Sequence, residues 1–221
     1  FADEGVKLDL YAPTPEALNF AVAEPLPLRT AGFVPANSLA FAGGQNLGVW
    51  WQQFLGKLDE LALNPDLDAW LEENLNIGAF EDDWGIHFGD DVFSWMTGEV
   101  AGAALPYWGE GPKGGPAVLL LSEMGNVTLG EAKMAEIVNA AVDEFHESGL
   151  AADTYATKIG GVPANMMRWE DSPGSGLKTK AGYLFLDDFL VVGSSEQALG
   201  AAVNAYQNPA ASLAESGKFQ W

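Results

Sequence analysis

The residues with the greatest capacity for chemistry lie in EDDWGIHFGDDVFSWMTGE, Glu81–Glu99, where six carboxylates, one of the chain's two histidines and two tryptophans fall within nineteen positions. Calcium takes about six to eight oxygen ligands, and its common loop runs Asp-x-Asp-x-Asp-Gly with a bidentate Glu twelfth in the loop. No register of this stretch supplies that pattern. Zinc asks for clustered imidazoles, and His87 and His146 form neither a His-x-x-x-His nor a His-Glu-x-x-His pair. Glycoside hydrolysis needs two acids about 5–10 Å apart across a cleft. Glu81, Asp82, Asp83, Asp90 and Asp91 could supply them, but any acid-rich loop meets that demand. Asp82, Asp83, Asp90 and Asp91 therefore stand as candidate divalent-cation ligands, with no metal committed. The simpler reading sets Asp90 and Asp91 at a helix start, where carboxylates accept backbone N–H bonds and complement the helix dipole. In DVFSWMTGEVA the apolar Val92, Phe93, Trp95 and Met96 can then cover one side of a short helix, with Gly98 as its stop and Glu99 opening a strand.

The remaining polar signals are weaker. No Gly-x-Ser-x-Gly elbow exists, and SPGSG (172–176) reads as a loop. GEGPKGG lacks the Gly-Lys-Ser/Thr ending of a phosphate loop, and GGQNLG lacks a dinucleotide-binding context, so both are assigned to turns. The eight tryptophans say more. Trp50 and Trp51 are adjacent, and on a helix both cannot point into one core, so they are the candidate interaction residues. No cofactor is expected.

Bulk properties exclude several classes. With 31 acidic residues against 10 basic ones, the net charge is −21. Arg29 and Arg168 are the only arginines, and no basic patch forms, which argues against nucleic-acid binding. The absence of cysteine removes thiol chemistry and disulfides together. No apolar run approaches the roughly 18 residues of a membrane helix, so this segment is not expected to insert. FADEGVKLDLYAP has neither the charged nor the apolar region of a signal peptide, and a targeting signal is expected to lie outside the chain.

The elements that must position these residues alternate. Val6–Tyr11 reads as an edge strand, followed by a proline-rich arm to Pro35. SLAFAGG is a strand, and NLGVWWQQFLGKLDEL a helix capped by Asn46. NPDLDAWLEENL starts another helix with Asn64 as cap. EVAGAALPYW and PAVLLLSEM should pair as a hairpin. TLGEAKMAEIVNAAVDEFHESG is a helix with a Thr128–Glu131 capping box, a stripe of Met134, Ile137, Val138, Ala141, Val142 and Phe145, and Gly149 as stop. Strands follow around Thr154–Ile159 and Ala164–Glu170, then a hairpin turning at Asp187–Asp188, then a helix capped by Ser194 or Ser195. The order is roughly β-α-α-β-β-α-β-β-β-α. This predicts the α+β class: a mainly antiparallel sheet with helices packed on one face and ferredoxin-like β-α-β-β-α-β elements. Residues 1–35 form the strand and arm, 36–210 the α+β domain, and 211–221 the start of a following segment.

Five blocks in order, VPANSLAFAGGQNLGVWWQ, DVFSWMTGEVAGAAL, AVLLLSE, GYLFLDDFLVVGSSEQAL and SLAESGKFQ, resemble the bacterial domain-of-unknown-function family 3352 from Leu8 to Gln220. That family's first block usually reads Leu-Pro-Ala-Asp-Thr-Leu-Ala-Tyr, from which Val34, Asn37, Ser38 and Phe41 depart conservatively. The resemblance implies a portion of a larger, extracytoplasmic protein, often membrane-tethered or secreted, and supplies no catalytic or binding residues. The expected function is a non-catalytic structural or protein-interaction module that meets a protein partner or other segments of its parent chain. A small-ligand or calcium-binding module is the alternative, and a carboxylate-dependent hydrolase stands behind both.

Overall fold

In a computed structural model, the described residues are 28–49, 51–52, 56, 81, 85–108, 116–174 and 178–216. The expected strand at Val6–Tyr11, the proline-rich arm up to residue 27, the helix begun by Asn64 and the glycine-rich turn at 109–115 lie outside them.

Seven strands form one sheet: β1 Ala40–Gln45, β2 Glu99–Trp108, β3 Pro116–Glu123, β4 Ala152–Ile159, β5 Val162–Glu170, β6 Lys178–Leu186 and β7 Phe189–Gly193. Their spatial order is β1-β2-β3-β7-β6-β5-β4, and every neighbouring pair is antiparallel. Among the described residues two long helices accompany it, α1 Val127–Glu147 and α2 Glu196–Gln207. Four strands, one more than the sequence order gave, separate the two helices. They form a meander back from the far edge to β3. The described sheet does not confirm the ferredoxin-like arrangement: among the described residues α2 follows β7 and no strand follows α2.

Turn chemistry sets the meander. Gly160 and Gly161 both have positive φ, 57° and 88°, which lets β4 and β5 join through two residues. Asp187 takes φ 52° at the β6–β7 turn where the sequence placed it. Gly149, at φ 74°, ends α1 in the left-handed conformation.

The helices lie on opposite faces, which corrects the one-face expectation. Side chains alternate along a strand, and in β6 and β7 both parities are apolar. Leu184, Leu186, Phe189 and Val191 join one core with Ala198, Leu199, Ala202 and Val203 of α2. Tyr183, Phe185, Leu190 and Val192 join another with Trp95, Met124 and Met134 of α1. A strand buried on both faces carries a continuous apolar run, as GYLFL and FLVV do.

The α2 core also takes in chain from both ends of the described region. Phe33 and Val34 of a 3₁₀ turn, Arg29–Phe33 and its C-cap, pack there with Leu213, and Pro35 bridges Ser212.

Candidate functional site

The described part of the acidic stretch forms a packing junction. Phe88–Phe93 is a six-residue π-helical turn. Asp91 binds it at two points: Oδ2 accepts the His87 backbone N–H at 2.9 Å, and Oδ1 accepts Lys133 Nζ of α1 at 2.8 Å. The lysine, followed by the His87 amide, holds the Asp91 carboxyl below its ordinary pKa. Glu81 accepts the Phe88 backbone N–H at 2.7 Å. Trp95 is 1% exposed and donates its indole N–H to the Asp91 carbonyl at 2.6 Å, so its polar edge is satisfied while its rings fill the space under α1. Asp90 is exposed, and its backbone carbonyl accepts the Ser94 hydroxyl. Asp82 and Asp83 lie outside the described residues. Among the described residues, no three His, Asp or Glu side chains converge where they could hold a metal ion.

Gly98 belongs to this junction for a reason other than stopping a helix. Its φ is not positive, but a Cβ there would overlap the Glu123 side chain, whose own Cβ would be 2.8 Å away. The glycine lets Glu123 cross over the backbone and accept the Glu99 N–H at 3.0 Å.

That crossing leads to a polar cluster the sequence reading missed. Arg29 donates to Glu123 Oε1 at 2.6 Å and to both oxygens of Asp188 at 2.9 and 3.2 Å, and its guanidinium lies 4.8 Å from the centroid of Phe189. Glu99, 4% exposed, accepts the Thr30 N–H at 2.9 Å. Arg29 thus ties the 3₁₀ turn to the end of β3 and to the β6–β7 turn, and the Thr30 amide beside it ties the same turn to the start of β2. The partners are 94 and 159 residues away, so the one available signal was that arginine is so rare in this chain. The other arginine, Arg168, grips Asp153 with two nitrogens across β4 and β5.

Trp51 lies in a ring cluster of the chain itself, 5.6 Å from Phe88 and 5.0 Å from Phe93 by centroid. Trp50 is outside the described residues.

The feature best shaped to meet a partner is a sheet face. On the α1 side, the register sets Ala40, Ala104 and Val118 in one row and Ala42, Gly102 and Leu120 in the next. Ala40 and Ala42 are exposed, Leu120 is 55% exposed and Val118 43%. Helix α1 leaves β3 for the far edge strand β4 and so passes over the other half of the sheet. The open rows carry no charged side chain, in a protein with 41 charged residues (31 acidic plus 10 basic). Val118 and Leu120 thus stand exposed on a part of the sheet whose facing rows are small and uncharged.

Fold and site together define an α+β protein built on an antiparallel sheet, with exposed apolar side chains on its β1–β3 half and with Glu81, Asp91, Glu123 and Asp188 engaged in caps and ion pairs. The family model for a protein of unknown function, DUF3352, matches residues 1–153, and the chain belongs to that family. No curated protein and no solved structure matches it.

Proposed function

We propose that this chain is a non-catalytic structural or protein-interaction module that works outside the cytoplasm, with the open half-sheet of β1–β3 as its contact surface. The exposed row of Val118 and Leu120, beside the alanines and glycine of β1 and β2, carries the reading. Small residues on two strands make the surface flat, and the two aliphatic side chains of β3 give it knobs to seat in a partner. Among the described strands β1 is also an edge, able to extend the sheet by backbone pairing. The partner is another protein or a further segment of the parent chain, with an apolar, weakly charged surface. The extracytoplasmic setting rests on the family resemblance. Among the described residues no helix is long and apolar enough to cross a membrane.

The test places a photo-reactive phenylalanine at Leu120 and, as a control, at exposed Asp143 on α1. After irradiation with the extracytoplasmic proteins of the host cell, the 120 probe should give a discrete adduct that the 143 probe lacks and that Val118→Asp abolishes. Identical adducts from both positions, or none from either, would overturn the reading.

A further inference from the structure

Helix α1 covers its half of the sheet incompletely. It connects β3 to β4, two strands of the same direction separated by three others, so it must cross about 19 Å of sheet width within a length of about 31 Å. A helix lying obliquely cannot settle into one row of side chains. Of its apolar stripe only Met134 is buried, while Ile137, Val138, Ala141, Val142 and Phe145 are half-buried. Beneath it a cavity of about 260 Å³ lies between α1 and strands β4–β7.

The lining has a definite chemistry. Met134 and Val138 form the roof, and Met167, Ala181 and Val192 much of the floor, while the Met166 side chain turns to the α2 core on the other face. Two of the chain's five methionines therefore face it, and Met96 and Met124 pack in the adjoining core. Methionine is unbranched and polarisable and adapts to the shape of an apolar guest. The polar groups of the floor are Tyr183, its cross-strand neighbour Asn165 and Thr154, with Asn139 on the helix side. A phenol both donates and accepts, so Tyr183 can serve a ligand in either role. Glu131 lies near enough to Tyr183 to act on its ionisation, and the chain's net charge is −21. Both features oppose an anionic guest.

We propose that the cavity under α1 is a binding site for a neutral, largely apolar small molecule, of the size of a substituted benzene or a short alkyl chain, carrying one hydroxyl or carbonyl for Tyr183. An apolar cavity of about 150 Å³ already admits benzene, so this one has room for a ring and a substituent. The site lies beside the open half-sheet and is independent of the partner reading.

The experiment follows the five methionine methyl groups by NMR in the ¹³C-methyl-labelled chain while 4-ethylphenol, ethylbenzene or 4-ethylbenzoate is added. The expected result is saturable movement of Met134 and Met167 with 4-ethylphenol, with Met96, Met124 and Met166 moving less. Benzoate should bind at least tenfold more weakly. Tyr183→Phe should weaken the phenol and leave ethylbenzene unchanged, and Ala181→Leu, which fills the cavity, should weaken both at least tenfold. Uniform or non-saturating shifts in the parent chain would overturn the proposal, as would benzoate binding equal to that of the phenol. So would undiminished binding in a folded Ala181→Leu.

Discussion

Arg29 holds Asp188 and Glu123 from outside the sheet, and the consequence is a dependence on pH as well as a contact. Its guanidinium lowers the Asp188 pKa. A carboxyl whose folded pKa is depressed stabilises the fold above its unfolded pKa, about 3.9, and that contribution is lost as pH falls through the folded value. Arg29 is about half exposed, so solvent screens the pair and Arg29→Ala should cost about 1 kcal/mol or less at neutral pH. Urea titrations from pH 6 to pH 2 should show the difference between parent and variant narrowing below about pH 4. A second residue-scale outcome concerns Gly98. Because a Cβ there would overlap Glu123, Gly98→Ala should destabilise by about 1–3 kcal/mol, although its backbone conformation is open to alanine. Shortening the obstacle in Gly98→Ala/Glu123→Ala should recover part of the loss, which a double-mutant cycle of denaturation midpoints would measure.

At the scale of elements, α1 tests how helix starts are specified. The Thr-x-x-Glu signature set the cap at Thr128, but the helix begins at Val127 and Asn126 Oδ1 accepts the Leu129 N–H at 3.1 Å. Asn126→Ala should therefore cost about 1 kcal/mol, and Thr128→Ala within about 0.5 kcal/mol of nothing, by thermal or urea unfolding. The final helix behaves as its sequence suggested. Ser195 caps it by accepting the Ala198 N–H, while Ser194 turns its hydroxyl to the Val118 N–H of β3. Two adjacent serines with equal local claims to the cap are separated only by what each one faces.

For the whole molecule, the 21 excess negative charges repel one another and oppose compaction. Raising sodium chloride from about 10 to about 150 mM shortens the screening length from roughly 30 to 8 Å, so the melting temperature should climb by several degrees. At matched ionic strength, millimolar calcium and magnesium should give melting temperatures within about 1 °C of each other. Glu81 and Asp91 are engaged with backbone amides and Lys133, and among the described residues no three such side chains converge. A saturable rise specific to calcium would instead mark a site, since a ligand of the folded state stabilises it by RT ln(1 + [L]/Kd).

The amino-acid order by itself determined the elements from β2 to α2, because their signals are local: alternating or continuous apolar runs, a β-turn at Asp187, a stop at Gly149. It also determined the acidic surface and the absence of thiol chemistry. Trp95 was legible as a packing residue from its helical spacing with Val92. Three things needed the tertiary structure. The doubly apolar β6 and β7 are buried on both faces because α1 and α2 take opposite sides, a choice that a run such as GYLFL permits without naming the helices. The role of Arg29 depends on partners brought from far along the chain. The open face and the cavity exist only because α1 must span from β3 to the distant edge β4. The residues that form them, Val118, Leu120, Met167 and Val192, read in sequence as ordinary strand positions, and only the path of one helix leaves some uncovered and others lining a void.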